Sequence, residues 1–145
     1  MEHADTTGKK KSERAYIGGG TFSANPTSMT SGYATLNYLK TNKATYSKIN
    51  ALGDYARKEL KKVFDDKVIV TGKGSLFMTH FIKNGVTQIT NSTDVAKCDA
   101  KMLEKYHFKM ISKDGIFFLP GKLGAISISH TKEDIKKIIL ASENF

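Results

Sequence analysis

The residues best suited to chemistry lie near the N-terminus, in the run Gly18-Gly19-Gly20-Thr21-Phe22-Ser23-Ala24-Asn25-Pro26. Consecutive glycines allow a backbone with positive φ to come close to a ligand, and Thr21 adds a hydroxyl group. Asn25 and Pro26 are the residue types preferred as the N-cap and the first residue of a helix. Backbone N–H groups, a hydroxyl and a helix N-terminus together favour an anion such as phosphate. A tight turn without a ligand is the alternative interpretation.

A helix after this loop would hold it in place. Apolar residues recur there at helical spacing and predict a helix over 28–39: Met29, Tyr33, Leu36 and Leu39. Gly32 within that helix costs about 1 kcal/mol relative to alanine, so we expect a close backbone approach to a neighbour there. Residues 1–15 are polar and aperiodic, which predicts a loop or disorder.

The remaining periodicity predicts three more helices and four strands. These are a helix over 45–64, a hairpin of strands over 68–70 and 76–82, a helix over 94–113, a second hairpin of strands over 116–119 and 125–129, and a helix that begins after Thr131. The order predicts an α+β fold with a small, antiparallel-leaning sheet that helices cover on one side. We therefore expect a polar segment over 1–15, a loop with its connecting helix over 16–43, and an α+β domain over 44–145.

Apolar stripes on these helices predict the core. The inward residues are Ile49, Leu52, Ala56, Leu60 and Val63 on the second helix, Cys98, Met102, Leu103, Tyr106 and Met110 on the third, and Ile135, Ile138 and Ile139 on the last. Thr131 and Asp134 have the spacing of a capping box at the last helix. The strand over 76–82 is apolar on both faces, which predicts a position inside the sheet.

Three motifs resemble the class III aminotransferases, which are pyridoxal-phosphate-dependent enzymes of fold type I. The first is Gly-Gly-Thr-Phe-Ser-x-Asn-Pro over 19–26, the second is Gly72-Lys73-Gly74-Ser75-Leu76-Phe77, and the third is Ser129-His130-Thr131-Lys132-Glu133-Asp134-Ile135. They occur in the family's order, and within the family they are most similar to the glutamate-1-semialdehyde 2,1-aminomutase group. The resemblance covers roughly 15–145 of this chain and the last third of a family member.

This resemblance implies a role for the glycine–threonine loop. Gly20, through its N–H, and Thr21, through its N–H and hydroxyl, would bind the phosphate of pyridoxal phosphate held by the other subunit of a homodimer. Ser23 and Asn25 would shape the loop and start the helix. The family's catalytic lysine, which forms a Schiff base with the cofactor, lies upstream of this loop, and no lysine here lies in its motif. We therefore expect no catalytic residue in this chain, a missing N-terminal catalytic segment, and no activity of the chain alone.

The resemblance also implies a substrate. Aminomutases of this group move an amino group between neighbouring carbons of a five-carbon acid, which feeds tetrapyrrole synthesis. They carry a phenylalanine–glutamate pair in the loop before the last strand, with the glutamate on the substrate side. Here that loop is 120–125, two residues shorter and without a carboxylate. An ω- or β-amino acid transaminase of the same family is therefore the alternative.

Composition limits the remaining function classes. The net charge of +9 favours an anionic partner, and a basic nucleic-acid-binding module is the alternative from another class. However, only Arg14 and Arg57 are arginines and the lysines are dispersed, so nucleic acid is not the partner we expect. No apolar run approaches the ~20 residues of a membrane span, and the N-terminus has no apolar signal-peptide region. A single cysteine, Cys98, is typical of a small buried residue in a reducing cytoplasm.

Other reactive residue types are interpreted as structural. His80, His107 and His130 lack the spacing of a zinc site, so no metal is expected. The resemblance implies that His130 has a structural role at the start of the family's last helix. Ser127 and Ser129 alternate with isoleucines, which is typical of a half-buried strand rather than of nucleophiles.

Overall fold

The structure, a computed structural model, describes Gly20 and residues 22–83 and 85–145. The predicted polar segment over 1–15 lies outside the described residues. The helices are α1 (Pro26–Thr41), α2 (Ala44–Phe64), α3 (Ser92–Ala96), α4 (Ala100–Ser112) and α5 (Lys132–Glu143), and the strands are β1 (Val68–Thr71), β2 (Leu76–Phe81) and β3 (Gly124–Ala125). Contacts divide the chain into two compact units, Met1–Asn42 and Lys43–Phe145.

The first unit contains α1 and the loop that precedes it. The helix begins as predicted, with Asn25 as N-cap and Pro26 at the first helical position. The close approach predicted at Gly32 is not found within the described part of the chain, where a Cβ added to this residue would meet nothing within 4 Å.

The second unit is an α+β domain built on a three-stranded antiparallel sheet of order β1-β2-β3. Val68 pairs with Phe81 in the β1–β2 ladder, and Phe77 pairs with Gly124 in the β2–β3 ladder. The predicted α+β class and the central position of β2 are therefore confirmed. Phe77 and Phe81 of β2 pack in the core against Leu60 of α2.

The turn between β1 and β2 lies directly against α2. A Cβ added to Gly53 of α2 would come within 1.9 Å of the carbonyl oxygen of Gly74, so only glycine fits. Arg57 Nη1 donates to that same oxygen at 2.8 Å and to the carbonyl oxygen of Leu76, while Nη2 pairs with Asp54. One guanidinium of α2 thus donates to a carbonyl of the turn and to the first carbonyl of β2.

The helix predicted over 94–113 is wrong, because the chain forms two helices there. Asn91 caps α3, and Asp99 caps α4 by accepting from the Met102 N–H at 3.0 Å. The Asp99 N–H donates to the carbonyl oxygen of Phe81 at 2.8 Å, which ties this backbone to the end of β2 instead of to a helix. Cys98 is buried between the two helices, whereas Met102, predicted to be inward, is exposed.

The hairpin predicted from 116–119 and 125–129 is also wrong. A donor of each predicted strand bonds elsewhere: the Ile116 N–H donates to the Met110 carbonyl, and the Ile126 N–H donates to the Ser75 carbonyl at 3.0 Å. Only Gly124 and Ala125 form a strand, and they pair with β2. A side chain on Gly124 would meet the Phe77 ring at 2.4 Å, so the close packing of this ring on the backbone requires glycine.

The last helix confirms its prediction. Thr131 Oγ1 accepts from the Asp134 N–H at 3.3 Å, and Asp134 Oδ2 accepts from the Thr131 N–H at 2.9 Å. This reciprocal pair is a capping box. Ile135, Ile138 and Ile139 are buried as predicted. On α2 the buried stripe is Thr45, Gly53, Ala56, Leu60 and Phe64, so Ala56 and Leu60 were predicted correctly while Ile49, Leu52 and Val63 are only half-buried.

Candidate functional site

The described part of the glycine–threonine loop is closed by its own hydrogen bonds. The Gly20 N–H donates to Ser23 Oγ at 2.9 Å, and the Ser23 N–H donates to the Gly20 carbonyl at 2.9 Å. Ala24 has a φ of 57°, whereas Gly20 is not in the left-handed region. Gly20 thus does not adopt the positive φ that the glycine run allows. Gly18, Gly19 and Thr21 lie outside the described residues.

The N-terminus of α1 is satisfied by Asn25. Its Oδ1 accepts from the N–H groups of Thr27 at 3.0 Å and Ser28 at 3.2 Å, and its carbonyl accepts from the Met29 N–H at 2.9 Å. Pro26 has no N–H to offer. An anion therefore cannot use these donors unless the Asn25 side chain leaves, so the helix terminus adds little to the predicted phosphate site. Donors for a phosphate must come from the loop itself.

The donor set of this loop fits a phosphate that another part of a protein brings to it. Gly20, Phe22, Ser23 and Ala24 are exposed, and a Cβ on Gly20 would meet nothing within 4 Å. The loop's donors are the Ser23 hydroxyl and the Gly20 N–H, which is free for an anion once it leaves Ser23 Oγ. The described loop residues include no carboxylate that would repel an anion. An exposed loop supplies hydrogen bonds without enclosure, so it can form only part of a binding site.

The histidines lie in separate local environments of the second unit. His80 Nε2 lies 2.8 Å from Thr71 Oγ1, and His130 Nδ1 accepts from the Ser127 N–H at 3.0 Å. His107 Nδ1 accepts from the Gly121 N–H at 3.1 Å. Burial lowers the pKa of His80 and the pKa of His107. His130 Nδ1 also lies 2.9 Å from Ser127 Oγ. Within the described residues no carboxylate orients this ring or that of His80, so these bonds hold local structure. Ser127 and Ser129 are exposed and lie outside β3, against the prediction of a half-buried strand.

The remaining candidates carry no site of their own. Over 22–83 and 85–145, together with Gly20, no group of His, Cys, Asp and Glu has the arrangement of a metal site. Burial raises the pKa of Cys98, which keeps this thiol protonated. Arg57 is engaged with the β1–β2 turn, so it is not available to a nucleic acid. None of the described helices is long and apolar enough to span a bilayer.

A cavity of about 590 Å³ lies beside the segment 115–126. Phe117, Leu119 and Leu123 line it from this segment, and Ile135 and Ile138 line it from α5. The exposed fractions of Phe117, Leu119 and Leu123 are 78%, 57% and 48%. The loop over 120–125 contributes Leu123, Gly124 and Ala125 to this wall. The sequence had no signal for the contact of His107 with this loop, because the two are joined only by the fold.

The chain is similar to known proteins in sequence and in structure. The chain is 36% identical over 132 residues to glutamate-1-semialdehyde 2,1-aminomutase 2 of Lachnoclostridium phytofermentans, which is 87% of this chain and 30% of that enzyme. Its structure is similar to a transaminase with PLP bound, with a TM-score of 0.69 and 25% identity over 99% of this chain and 31% of the other. It is also similar to a β-phenylalanine aminotransferase from Variovorax paradoxus, with a TM-score of 0.71 and 25% identity over 91% of this chain and 30% of the other.

These likenesses cover most of this chain and a minor share of each relative. No protein-family model matches the chain. The chain spans 30% of the length of the aminomutase, and the described fold agrees with the fold of the transaminases over a similar share. The resemblance predicted from the three motifs is therefore confirmed: the chain is related in sequence and in fold to the C-terminal part of the class III pyridoxal-phosphate-dependent aminotransferases, with glutamate-1-semialdehyde 2,1-aminomutases among its relatives.

Proposed function

We propose that this chain works as the C-terminal part of a pyridoxal-phosphate-dependent enzyme, and that Gly20 and Thr21 hold the cofactor phosphate. The phosphate belongs to a cofactor bound mainly by the other subunit of a homodimer. The observation that carries the proposal is an exposed loop with neutral donors and no enclosure, found in a relative of enzymes that bind this cofactor. Such a loop suits a group that arrives from a neighbouring subunit.

The chain's own residues bind and orient and do not perform the covalent steps. The Gly20 N–H exchanges Ser23 Oγ for a phosphate oxygen, so the loop loses no hydrogen bond when it binds. Asn25 keeps α1 capped throughout, because its bonds to Thr27 and Ser28 do not involve the loop donors. When bound, the cofactor supplies the electron-accepting chemistry of amino transfer, while the protein supplies anchoring and orientation.

The reaction we propose is the aminomutase reaction on glutamate-1-semialdehyde, the transfer of an amino group between neighbouring carbons. The 36% identity to an enzyme of that name over 87% of this chain supports it. The catalytic lysine and most of the active site would lie in the upstream part that relatives carry, so we propose that the 145 residues alone are inactive.

A transaminase acting on ω- or β-amino acids is the second candidate. The loop over 120–125 has Lys122 and no carboxylate where the aminomutase group carries a glutamate on the substrate side. The wall that contains this loop is apolar, and the β-phenylalanine aminotransferase is similar in structure over 91% of this chain. An apolar wall favours a substrate with an apolar side chain, such as β-phenylalanine, over a short polar one such as glutamate-1-semialdehyde.

Product analysis separates the two candidates. The complete enzyme, meaning this chain together with the upstream part that its relatives carry, is incubated with glutamate-1-semialdehyde without any keto acid. An aminomutase isomerises this substrate without an external amino acceptor, whereas a transaminase consumes β-phenylalanine only when a keto acid is added. The proposal would be contradicted by a complete enzyme that turns over neither substrate and does not bind pyridoxal phosphate.

A further inference from the structure

His107 connects α4 to the loop that borders the cavity. Its side chain is buried, and its ring lies flat on Phe118 with the centroids 4.9 Å apart and an angle of 4° between the planes. The Gly121 N–H donates to Nδ1 at 3.1 Å. A backbone N–H can only donate, so Nδ1 carries no proton and a neutral ring is protonated at Nε2.

The turn that His107 holds needs this acceptor. The Lys122 N–H donates to the Leu119 carbonyl at 2.9 Å, and Gly121 has a φ of 67°. Proline followed by glycine at positive φ is typical of a type II turn. The N–H of Gly121 takes no part in the closing bond of such a turn and must find a partner outside it. His107 provides that partner from α4.

We infer that His107 is a positioning residue that fastens the turn Leu119–Lys122 to α4 and thereby fixes the cavity wall formed by Leu119 and Leu123. The placement of this wall on the substrate side rests on the proposed function. The fastening itself rests on the stacked ring and the hydrogen bond. His107 would then affect the fit of substrate without touching substrate or cofactor.

The bond is conditional on a neutral ring. A protonated histidine donates from both nitrogens, so it cannot accept the Gly121 N–H. From α4, the neighbouring Tyr106 stays neutral because burial raises its pKa to about 12, and from the turn the charged neighbour is Lys122, whose side chain is exposed. Burial favours the neutral imidazole at neutral pH, and acidification releases the turn.

Nuclear magnetic resonance of this 145-residue chain tests the fastening directly. We expect the imidazole of His107 to be the Nε2–H tautomer at neutral pH, and the Gly121 amide signal to titrate together with the His107 ring. His107→Phe keeps a ring but removes the acceptor, so hydrogen exchange at Gly121 should become about threefold to tenfold faster, the effect of one ordinary hydrogen bond. His107→Asn restores an acceptor near the Nδ1 position and should recover most of the protection.

A matched control is His130→Asn, because His130 also accepts a backbone N–H, that of Ser127. It should leave the Gly121 amide unchanged. A Gly121 amide that ignores the ionisation of His107, or exchanges equally fast in all three variants, would overturn the inference. The titration uses the unmodified chain, so it holds even if a variant fails to fold.

Kinetics of the complete enzyme test the consequence for substrate. His107→Phe should raise KM for the amino substrate at least threefold while the affinity for pyridoxal phosphate stays unchanged, and His107→Asn should restore KM. An unchanged KM would overturn the role toward substrate. Failure of the proposed function would be visible separately, as an unmodified enzyme that does not bind the cofactor, and the behaviour of the Gly121 amide does not depend on that result.

Discussion

Gly53→Ala tests the packing of α2 against the β1–β2 turn. In an exposed helix this change would stabilise the chain by about 1 kcal/mol, because alanine is the better helix former. Here the new Cβ would lie 1.9 Å from the Gly74 carbonyl oxygen and 2.9 Å from its carbon. Both are backbone atoms, so relief requires the turn to move away from α2, which also strains the bonds from Arg57 to the turn.

The expected change in the free energy of unfolding is the cost of overpacking minus the gain in helix propensity. Overpacking of a tight site costs about 1–3 kcal/mol, and the upper value of about 3 kcal/mol applies here because the clash is with backbone atoms. After subtraction of the helix-propensity gain, we expect a net loss of about 2 kcal/mol. In a unit of this size about 1 kcal/mol corresponds to roughly 4–8 °C, so Tm should fall by on the order of 10 °C.

Thermal unfolding of the purified chain, followed by far-ultraviolet circular dichroism, measures this loss. Gly32→Ala is the matched control, since the same side chain added in α1 would meet nothing within 4 Å. The control should keep or slightly raise stability. A Gly53→Ala chain as stable as the unmodified one would refute the reasoning, because the turn would then not lie against α2 as described.

Three further predictions concern the cap, the pH and the isolated chain. Thr131→Ala removes half of the capping box of α5 and should lower the free energy of unfolding by about 1 kcal/mol in denaturant titration, whereas Thr131→Ser should retain it. Burial lowers the pKa of His80 and of His107 below 6.5, so below that pH the unfolded chain binds more protons than the folded chain. The free energy of unfolding should therefore fall as the pH drops below about 6.5. A double variant, His80→Asn with His107→Asn, should show a smaller fall of Tm between about pH 8 and pH 5. The purified 145-residue chain should show neither aminomutase nor transaminase turnover; turnover that a substitution within the chain abolishes would contradict the proposed division of the active site.

Local sequence signals predicted the parts of the fold that local interactions decide. Asn25-Pro26 and Thr131 with Asp134 specify helix starts through bonds to residues two or three positions away, and these starts are confirmed. The apolar residues on both faces of β2 predicted its position inside the sheet, where it pairs with β1 on one edge and β3 on the other.

Predictions failed where a distant partner takes a backbone group. The helix over 94–113 is interrupted because the Asp99 N–H bonds the end of β2, and periodicity carries no information on that bond. The second hairpin is absent because the Ile116 N–H bonds the Met110 carbonyl and the Ile126 N–H bonds the Ser75 carbonyl, so the two segments do not pair with each other. The close approach of another backbone to a helical glycine was expected at Gly32 and occurs at Gly53. Helical periodicity indicates the face on which a glycine lies, but it does not indicate what packs against that face.

The family resemblance rested on short motifs, and it predicted site residues, which periodicity did not. It specified Gly20 and Thr21 as phosphate ligands, which stays a prediction. It also implied that Ser23 and Asn25 shape the loop and start the helix, which agrees with the bond of Ser23 to Gly20 and the bond of Asn25 to Thr27. Both bonds follow from serine and asparagine chemistry at turns and helix starts.

The central claim is that this chain holds a cofactor phosphate, and a comparison of pyridoxal phosphate with pyridoxal tests it most directly. The affinities of both compounds are measured for the complete enzyme, unmodified and as Thr21→Ala, with Thr27→Ala as the matched control on α1. Loss of one hydrogen bond to a charged group is worth about 1.5–3 kcal/mol, so Thr21→Ala should weaken pyridoxal phosphate roughly tenfold to a hundredfold and leave pyridoxal unchanged. An equal effect of Thr21→Ala on both compounds, or no effect on either, would contradict the claim and leave the loop as a turn.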